Sequence, residues 1–251
     1  MNNIELDILL PAFIAGLLVL ATHIPLGMKV LERGVIFADL AVAQIAGLGI
    51  ILAGLLNLTE QPLLVQIIAA SSALCGAALL TLIERRFPEV KEACIGLTFV
   101  LAASAGILLM SRDVHAGEHL KDLLAGQILW VSTWQLIATS LMSATLLVVW
   151  RWQQARIGHL GFYALFALAV TASVQLAGVY LVFASLIVPA LATYRIREGR
   201  MIYAFGIGIS GYAIGLLLSA RFDLPGGAAI VWTMAITGGL TALLKNAPKA
   251  V

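Results

Sequence analysis

Charge is what this sequence has least of. Only 11% of its residues are Asp, Glu, Lys or Arg, against about 25% in a soluble globular domain. So few charges cannot cover a water-facing surface, which excludes a soluble globular fold. Cysteine is nearly absent. Cys75 and Cys94 sit in or beside apolar runs, and two thiols without His or Cys neighbours provide neither a disulfide framework nor a zinc site. No GxxxxGKS/T pattern occurs, so the chain carries no P-loop, and any ATP it depends on is hydrolysed elsewhere. No stretch alternates apolar and polar residues in the manner of a membrane β-barrel. The net charge of +2 gives no footing for nucleic acid. The acidic opening MNNIELD lacks the basic start of a cleavable signal peptide, so the first apolar run is expected to be retained.

What remains is apolar. Hydrophobic residues make up 61% of 251 positions, and the mean hydropathy is +1.02. Runs of roughly 20 apolar residues recur, each able to cross ~30 Å of hydrocarbon as a helix. Spans are expected near 8–28, 35–57, 62–83, 94–111, 132–150, 160–176, 178–194, 202–220 and 226–244. The expected fold is therefore an all-α polytopic membrane protein of about eight to nine transmembrane helices, with 1–251 as a single domain. The runs 160–176 and 178–194 are short and parted only by Ala177-Gly178, so two crossings and a re-entrant hairpin are alternatives there. The 23 glycines, in clusters such as AGLG, ASAG and GIGISG, allow the close helix approach that holds bundles together in lipid. Lys29, Arg33, Arg85, Arg86, Lys91, Arg151, Arg156, Arg195, Arg197, Arg200, Lys245 and Lys249 follow alternate spans. By the positive-inside rule the N-terminus lies outside and the C-terminus in the cytoplasm.

Ionisable residues inside a span cost about 2.5–3.5 kcal/mol on insertion scales, so each is a functional candidate. Asp39 lies in IFADLAVAQIAG, a little over a turn inside the second span, with Gln44 about one turn further on. His23, in ATHIPLG, is expected about one turn before the first span ends, at a depth similar to Asp39. A carboxylate facing an imidazole suits zinc, manganese or ferrous iron; the plainer reading is a structural His–Asp hydrogen bond. A second cluster, SRDVHAGEHLKD, holds His115, Glu118 and His119 with Asp113 and Asp122. It suits transient capture of a divalent cation at the outer mouth, or is simply a solvated loop. HAGEH also matches the inverted zinc-protease pattern, but that chemistry needs a long helix and Gly117 interrupts this one. His159 reads as a surface histidine without a metal role.

Several stretches, in order, resemble the membrane permeases of zinc, manganese and iron ABC uptake transporters. They are PLGMKVLERGVIFADLAVAQIAGLG, CIGLTFVLAASAGILLMS with LKDLLAGQILWVSTWQL, LAGVYLVFASLIVPALAT (the most specific) and FDLPGGAAIV. The resemblance implies a type II ABC importer-like permease bundle in the bacterial inner membrane, paired as a homodimer. It implies a cytoplasmic ATPase subunit and a periplasmic metal-binding protein as partners, and a divalent cation as cargo. The chain itself would then be no enzyme and would hold no permanent cofactor. Zinc is favoured, since HAGEH is rich in imidazole; manganese and iron stay open. Asp39 falls on the family's helix-two Asp. The His that follows it in the family is missing, with Ala43 or Gln44 in its turn, and His23 is the substitute candidate. The family's longer cytoplasmic segment between the fifth and sixth spans is here only RWQQARIGH. That leaves Arg151, Arg156, Arg195 and Arg197 as candidates for ATPase docking. The alternatives are an ATP-independent secondary cation transporter or channel, which would need several membrane-buried acids, and an intramembrane enzyme built on His115, Glu118 and His119.

Overall fold

A computed structural model describes residues 3–56, 58, 61–110, 128–153 and 158–246. The apolar runs form nine described helices: α1 Asn3–Arg33, α2 Ala38–Leu55, α3 Pro62–Arg86, α4 Lys91–Met110, α5 Thr133–Gln153, α6 His159–Ala177, α7 Val179–Ala192, α8 Arg200–Phe222 and α9 Gly226–Asn246. A single 3-10 turn, Ile128–Trp130, precedes α5. Eight of the helices are long and apolar enough to cross a membrane. The exception, α7, has 14 residues and a length of about 21 Å, short of the ~30 Å hydrocarbon core. It starts at Gly178, whose φ of 78° is a conformation that glycine adopts without strain.

The first helix runs past its expected end near 28. Beyond that point Lys29 and Glu32 pair at 2.9 Å along the helix. Pro11 and Pro25 lie within it without ending it, and it stops only at Gly34 with φ 65°. Helix α5 shows the lipid contact most plainly. Trp134 and Trp152 are 75% and 84% exposed and stand roughly 27 Å apart along the axis, the spacing of two interfacial aromatic belts.

The chain packs as two compact units. The first comprises Met1–Arg33, Leu124–Ser143 and Leu176–Val251; the second comprises Gly34–Leu123 and Ala144–Gln175.

In the first unit the helices meet through glycine. A Cβ on Gly27 of α1 would stand 2.0 Å from the Leu186 carbonyl oxygen of α7. Gly211 and Gly215, a GxxxG pair on α8, lie against Met234 and the Ile230 backbone of α9. Without a hydrophobic force between helices in lipid, this backbone approach supplies the packing energy. Hydrogen bonds add to it: Thr233 Oγ1 donates to the Gly211 carbonyl at 2.7 Å, and Ser185 and Tyr212 join α7 to α8 at 3.0 Å.

In the second unit α2 packs on both α3 and α4. Gly49 meets Ser72, Gly76 meets Ile45 and Gly106 meets Ile51. Polar contacts clamp α3 to α6 at two places. Glu84, near the end of α3, meets His159 at the start of α6 at 2.7 Å. Gln66, near the start of α3, donates to Gln175 near the end of α6. The two helices therefore run antiparallel, with the clamps roughly 25 Å apart along them. His159, half-exposed, thus has a structural partner that its surface position in the sequence does not reveal.

Gly27→Ala should lower the unfolding free energy of the detergent-solubilised protein by about 1–3 kcal/mol, the usual cost of overpacking. Gly239→Ala, with nothing within 4 Å of its added Cβ, should stay within about 0.5 kcal/mol of wild type. Equal stability of the two variants would contradict the packing described.

Candidate functional site

His23 lies deeper in its helix than its sequence neighbours suggest. Because α1 continues to Arg33, His23 stands about three turns, roughly 15 Å, before the helix end, where one turn was expected. Its ring is fully buried. Nδ1 sits 3.0 Å from the Val19 carbonyl, one turn back, and 3.0 Å from Thr22 Oγ1. Thr22 in turn donates to the same Val19 carbonyl at 3.1 Å. A carbonyl can only accept, so the proton of the neutral ring is on Nδ1, and Nε2 presents its lone pair. Nε2 is buried and has no hydrogen-bond partner. A backbone carbonyl holding one ring nitrogen so that the other is free is the arrangement that prepares an imidazole to bind a metal.

Asp39 stands at the start of α2. The segment before Ala38 is a turn, so Asp39 falls in the first helical turn and not beyond it as expected. It is 1% exposed, and neither carboxylate oxygen has a hydrogen-bond partner. A buried anion is stable only when it is paired, coordinated or neutralised. Position at a helix N-terminus eases the cost by the helix dipole but supplies no direct partner.

Gln44 is also buried, but five residues along an α-helix is a rotation of about 140° from Asp39. The two side chains leave α2 on different faces. Ala43, the position closer to Asp39's own face, has no donor atom. The helix therefore does not continue Asp39 into a second ligand. His23 belongs to the first unit and Asp39 to the second. Among the described residues no three His, Cys, Asp or Glu side chains gather into a metal cage. His115, Glu118, His119 and Arg156 lie outside the described residues.

Of the basic candidates, Arg151 is exposed in the last turn of α5. Arg195 and Arg197 are exposed on the turn between α7 and α8. Arg200 enters the sequence reading only as an orientation charge, and Glu92 does not enter it. Arg200, at the start of α8, lies over the Tyr194 ring at 5.9 Å and reaches Glu32 at 3.8 Å. The turn thus ends in a fixed, positively charged corner. Glu92 lies in the first turn of α4. Its Oε1 accepts the Phe37 backbone N–H at 3.0 Å, at the threshold of the helix that carries Asp39. An acid opening an apolar helix is its only trace in the sequence.

Each unit thus holds one buried and uncommitted donor, the Nε2 lone pair of His23 in the first and the carboxylate of Asp39 in the second. Such donors accept a cation of borderline hardness.

The ABC 3 transport family matches residues 5–157 and 154–244 of the chain. Similar proteins include a "Probable iron transport system membrane protein" of Haemophilus influenzae, 28% identical over 163 residues, which are 56% of this chain and 60% of that protein. Another is the "Chelated iron transport system membrane protein YfeD" of Yersinia pestis, 28% identical over 171 residues, with 59% and 57% covered. The matched stretch thus spans less than two thirds of either relative. Among solved structures, "PsaBC from Streptococcus pneumoniae in complex with Fab" matches with a TM-score of 0.71 at 22% identity, over 93% of this chain and 89% of that one. That likeness is one of fold, and with the nine described helices, eight of them of membrane-spanning length, it bears out the expected all-α polytopic architecture. The family match extends over nearly the whole sequence, and the chain belongs to the ABC 3 transport family.

Proposed function

We propose that this chain is the membrane permease subunit of an ATP-driven uptake system for a divalent first-row metal ion. The observation that carries the reading is Asp39, a buried carboxylate with both oxygens unpartnered in an apolar helix. His23 supports it with a buried Nε2 whose tautomer is set by Val19 and Thr22. Such an anion is stable during transit of a cation that it can meet and release. A lone carboxylate binds a cation weakly enough to let it go, which a closed four-ligand site would not.

For the metal, iron(II), manganese and zinc all accept this donor set. The two relatives are named for iron transport. The imidazoles of His115 and His119, with Glu118, favour zinc as the ion gathered at the outer mouth. The partners in this reading are a cytoplasmic ABC ATPase, a periplasmic metal-binding protein and a second copy of the chain, within the bacterial inner membrane. The exposed Arg195 and Arg197 are the candidate contact for the ATPase, and the exposed Arg151 is a separate candidate; Arg156 is a candidate from the sequence alone. The N-terminus then lies outside and the C-terminus inside, with Lys and Arg at the ends of alternate spans; this orientation requires the 14-residue α7 to return the chain to the cytoplasmic side as a ninth, short crossing.

An ATP-independent carrier is the weaker reading. Coupling to protons calls for several buried acids, and among the described residues Asp39 is the one Asp or Glu that is buried.

Radiolabelled zinc, manganese and iron(II) uptake should be measured in cells carrying wild type, Asp39→Asn or His23→Asn. Asn at 23 retains an N–H for the Val19 carbonyl and deletes Nε2, so the variant should keep its membrane abundance. Each substitution should cut uptake of the true cargo roughly tenfold or more, the scale of losing support for a metal. Unchanged uptake of all three ions in both variants would dismiss the proposed path. Purification from native membranes should also recover an ABC ATPase, and Arg195→Glu with Arg197→Glu should reduce that recovery. Absence of any nucleotide-binding subunit from the wild-type preparation would count against ATP drive.

A further inference from the structure

Helix α2 begins without the local caps that a helix start usually has. Its N-cap is Phe37, which offers no side-chain acceptor. In a capping box, a Glu or Gln three residues past the N-cap reaches back to the N-cap amide; here that position is Leu40. The amide is satisfied all the same. Phe37 N–H donates to Glu92 Oε1 at 3.0 Å, and Glu92 comes from the first turn of α4. A residue 55 positions away does what a capping box does from within the helix.

This alters what Asp39 is for. Asp39 is the second residue of α2, and an acid in the first turn ordinarily serves the helix end by charge or hydrogen bond. Here it makes no hydrogen bond with either oxygen, although it is buried. Glu92 is held in place for the capping role. Its helix packs along α2, with Gly106 against Ile51, and its second oxygen, Oε2, is buried and does not swing out to water.

We propose that Glu92 is a positioning residue for the cation step: by capping α2 through the Phe37 amide it fixes the first turn and leaves the Asp39 carboxylate free to meet the ion. This rests on the reading that Asp39 contacts the transported cation. The cap needs an acceptor at the right reach, and it needs no charge. A glutamine at 92 keeps both the side-chain length and an Oε1 acceptor. An aspartate keeps the charge but falls one methylene short of the Phe37 amide. The two conservative changes therefore separate capping from any direct electrostatic role of the carboxylate.

The test uses the full-length chain purified in detergent, titrated with zinc and, separately, manganese in competition with a fluorescent metal chelator. The variants are Asp39→Asn, Glu92→Gln and Glu92→Asp. The component of binding lost in Asp39→Asn defines the Asp39-dependent site. Glu92→Gln should keep that component within a fewfold of wild type, and Glu92→Asp should weaken it by about tenfold, as supporting residues of metal sites do. Amide exchange at the start of α2 should quicken in Glu92→Asp and not in Glu92→Gln. The reverse ordering, equal loss in both variants, or wild-type binding in both would overturn the proposal. Wild-type binding in Asp39→Asn would instead refute the reading of Asp39, whatever the Glu92 variants do.

Discussion

In hydrocarbon a polar atom has no water to turn to, and each must find its partner inside the protein or bear the cost of having none. Most polar side chains in these helices obey that constraint locally. Thr81, Thr171, Ser185 and Thr193 each return their hydroxyl to a backbone carbonyl one turn back, the least expensive solution available in a helix. Against this background His23 Nε2 and the two oxygens of Asp39 are exceptions. Their neighbours show that satisfaction was available. Nδ1 of the same imidazole ring has two partners, and the amide at the start of Asp39's own helix has one. Other buried atoms are unpaired as well, among them Gln175 Nε2 and two nitrogens of Arg200, but those are N–H donors, whereas His23 Nε2 and the Asp39 oxygens are lone-pair donors that a cation can use.

The same solvent decides how the helices hold together. Leucine against leucine gains little when the alternative is leucine against lipid, so the close contacts come from glycine faces on α1 and α8 in one unit and on α2 and α3 in the other. Large aliphatic side chains are left facing outward, as Leu63, Leu108 and Leu244 do. The paired clamps between α3 and α6 add direction: Glu84 with His159 and Gln66 with Gln175 can both form only in the antiparallel arrangement. In the first unit the α7–α8 turn is fixed by Arg200 reaching to Glu32 on α1 and stacking near Tyr194.

Much of this was legible in the residues. The helices follow the apolar runs closely, because a stretch of that length and composition has no other way to satisfy its backbone in lipid. The first helix was underestimated for a physical reason. Lys29 reads as a charge following the span but pairs with Glu32 along a helix that simply goes on. That error carried over to the depth of His23. Asp39 stood out by the rarity of charge, whereas its lack of partners is a property of packing that no spacing encodes. Gln44 was placed about one turn beyond Asp39, and helical geometry puts it on a different face, since five residues do not return to the same one. Glu92 was invisible as a cap because the contact joins residues 55 apart in sequence. The family resemblance was carried mainly by GVYLVFASLIVPALAT, which folds as the short α7 with Pro189 inside it, and by the Asp of helix two.

The central claim is that the Asp39 carboxylate takes a cation as its missing partner. Infrared difference spectroscopy on the purified protein, with and without the transported metal, tests it most directly, because coordination shifts the carboxylate stretching bands. The account predicts a metal-induced carboxylate shift in wild type that vanishes in Asp39→Asn. Identical metal-induced spectra for the two proteins would contradict it.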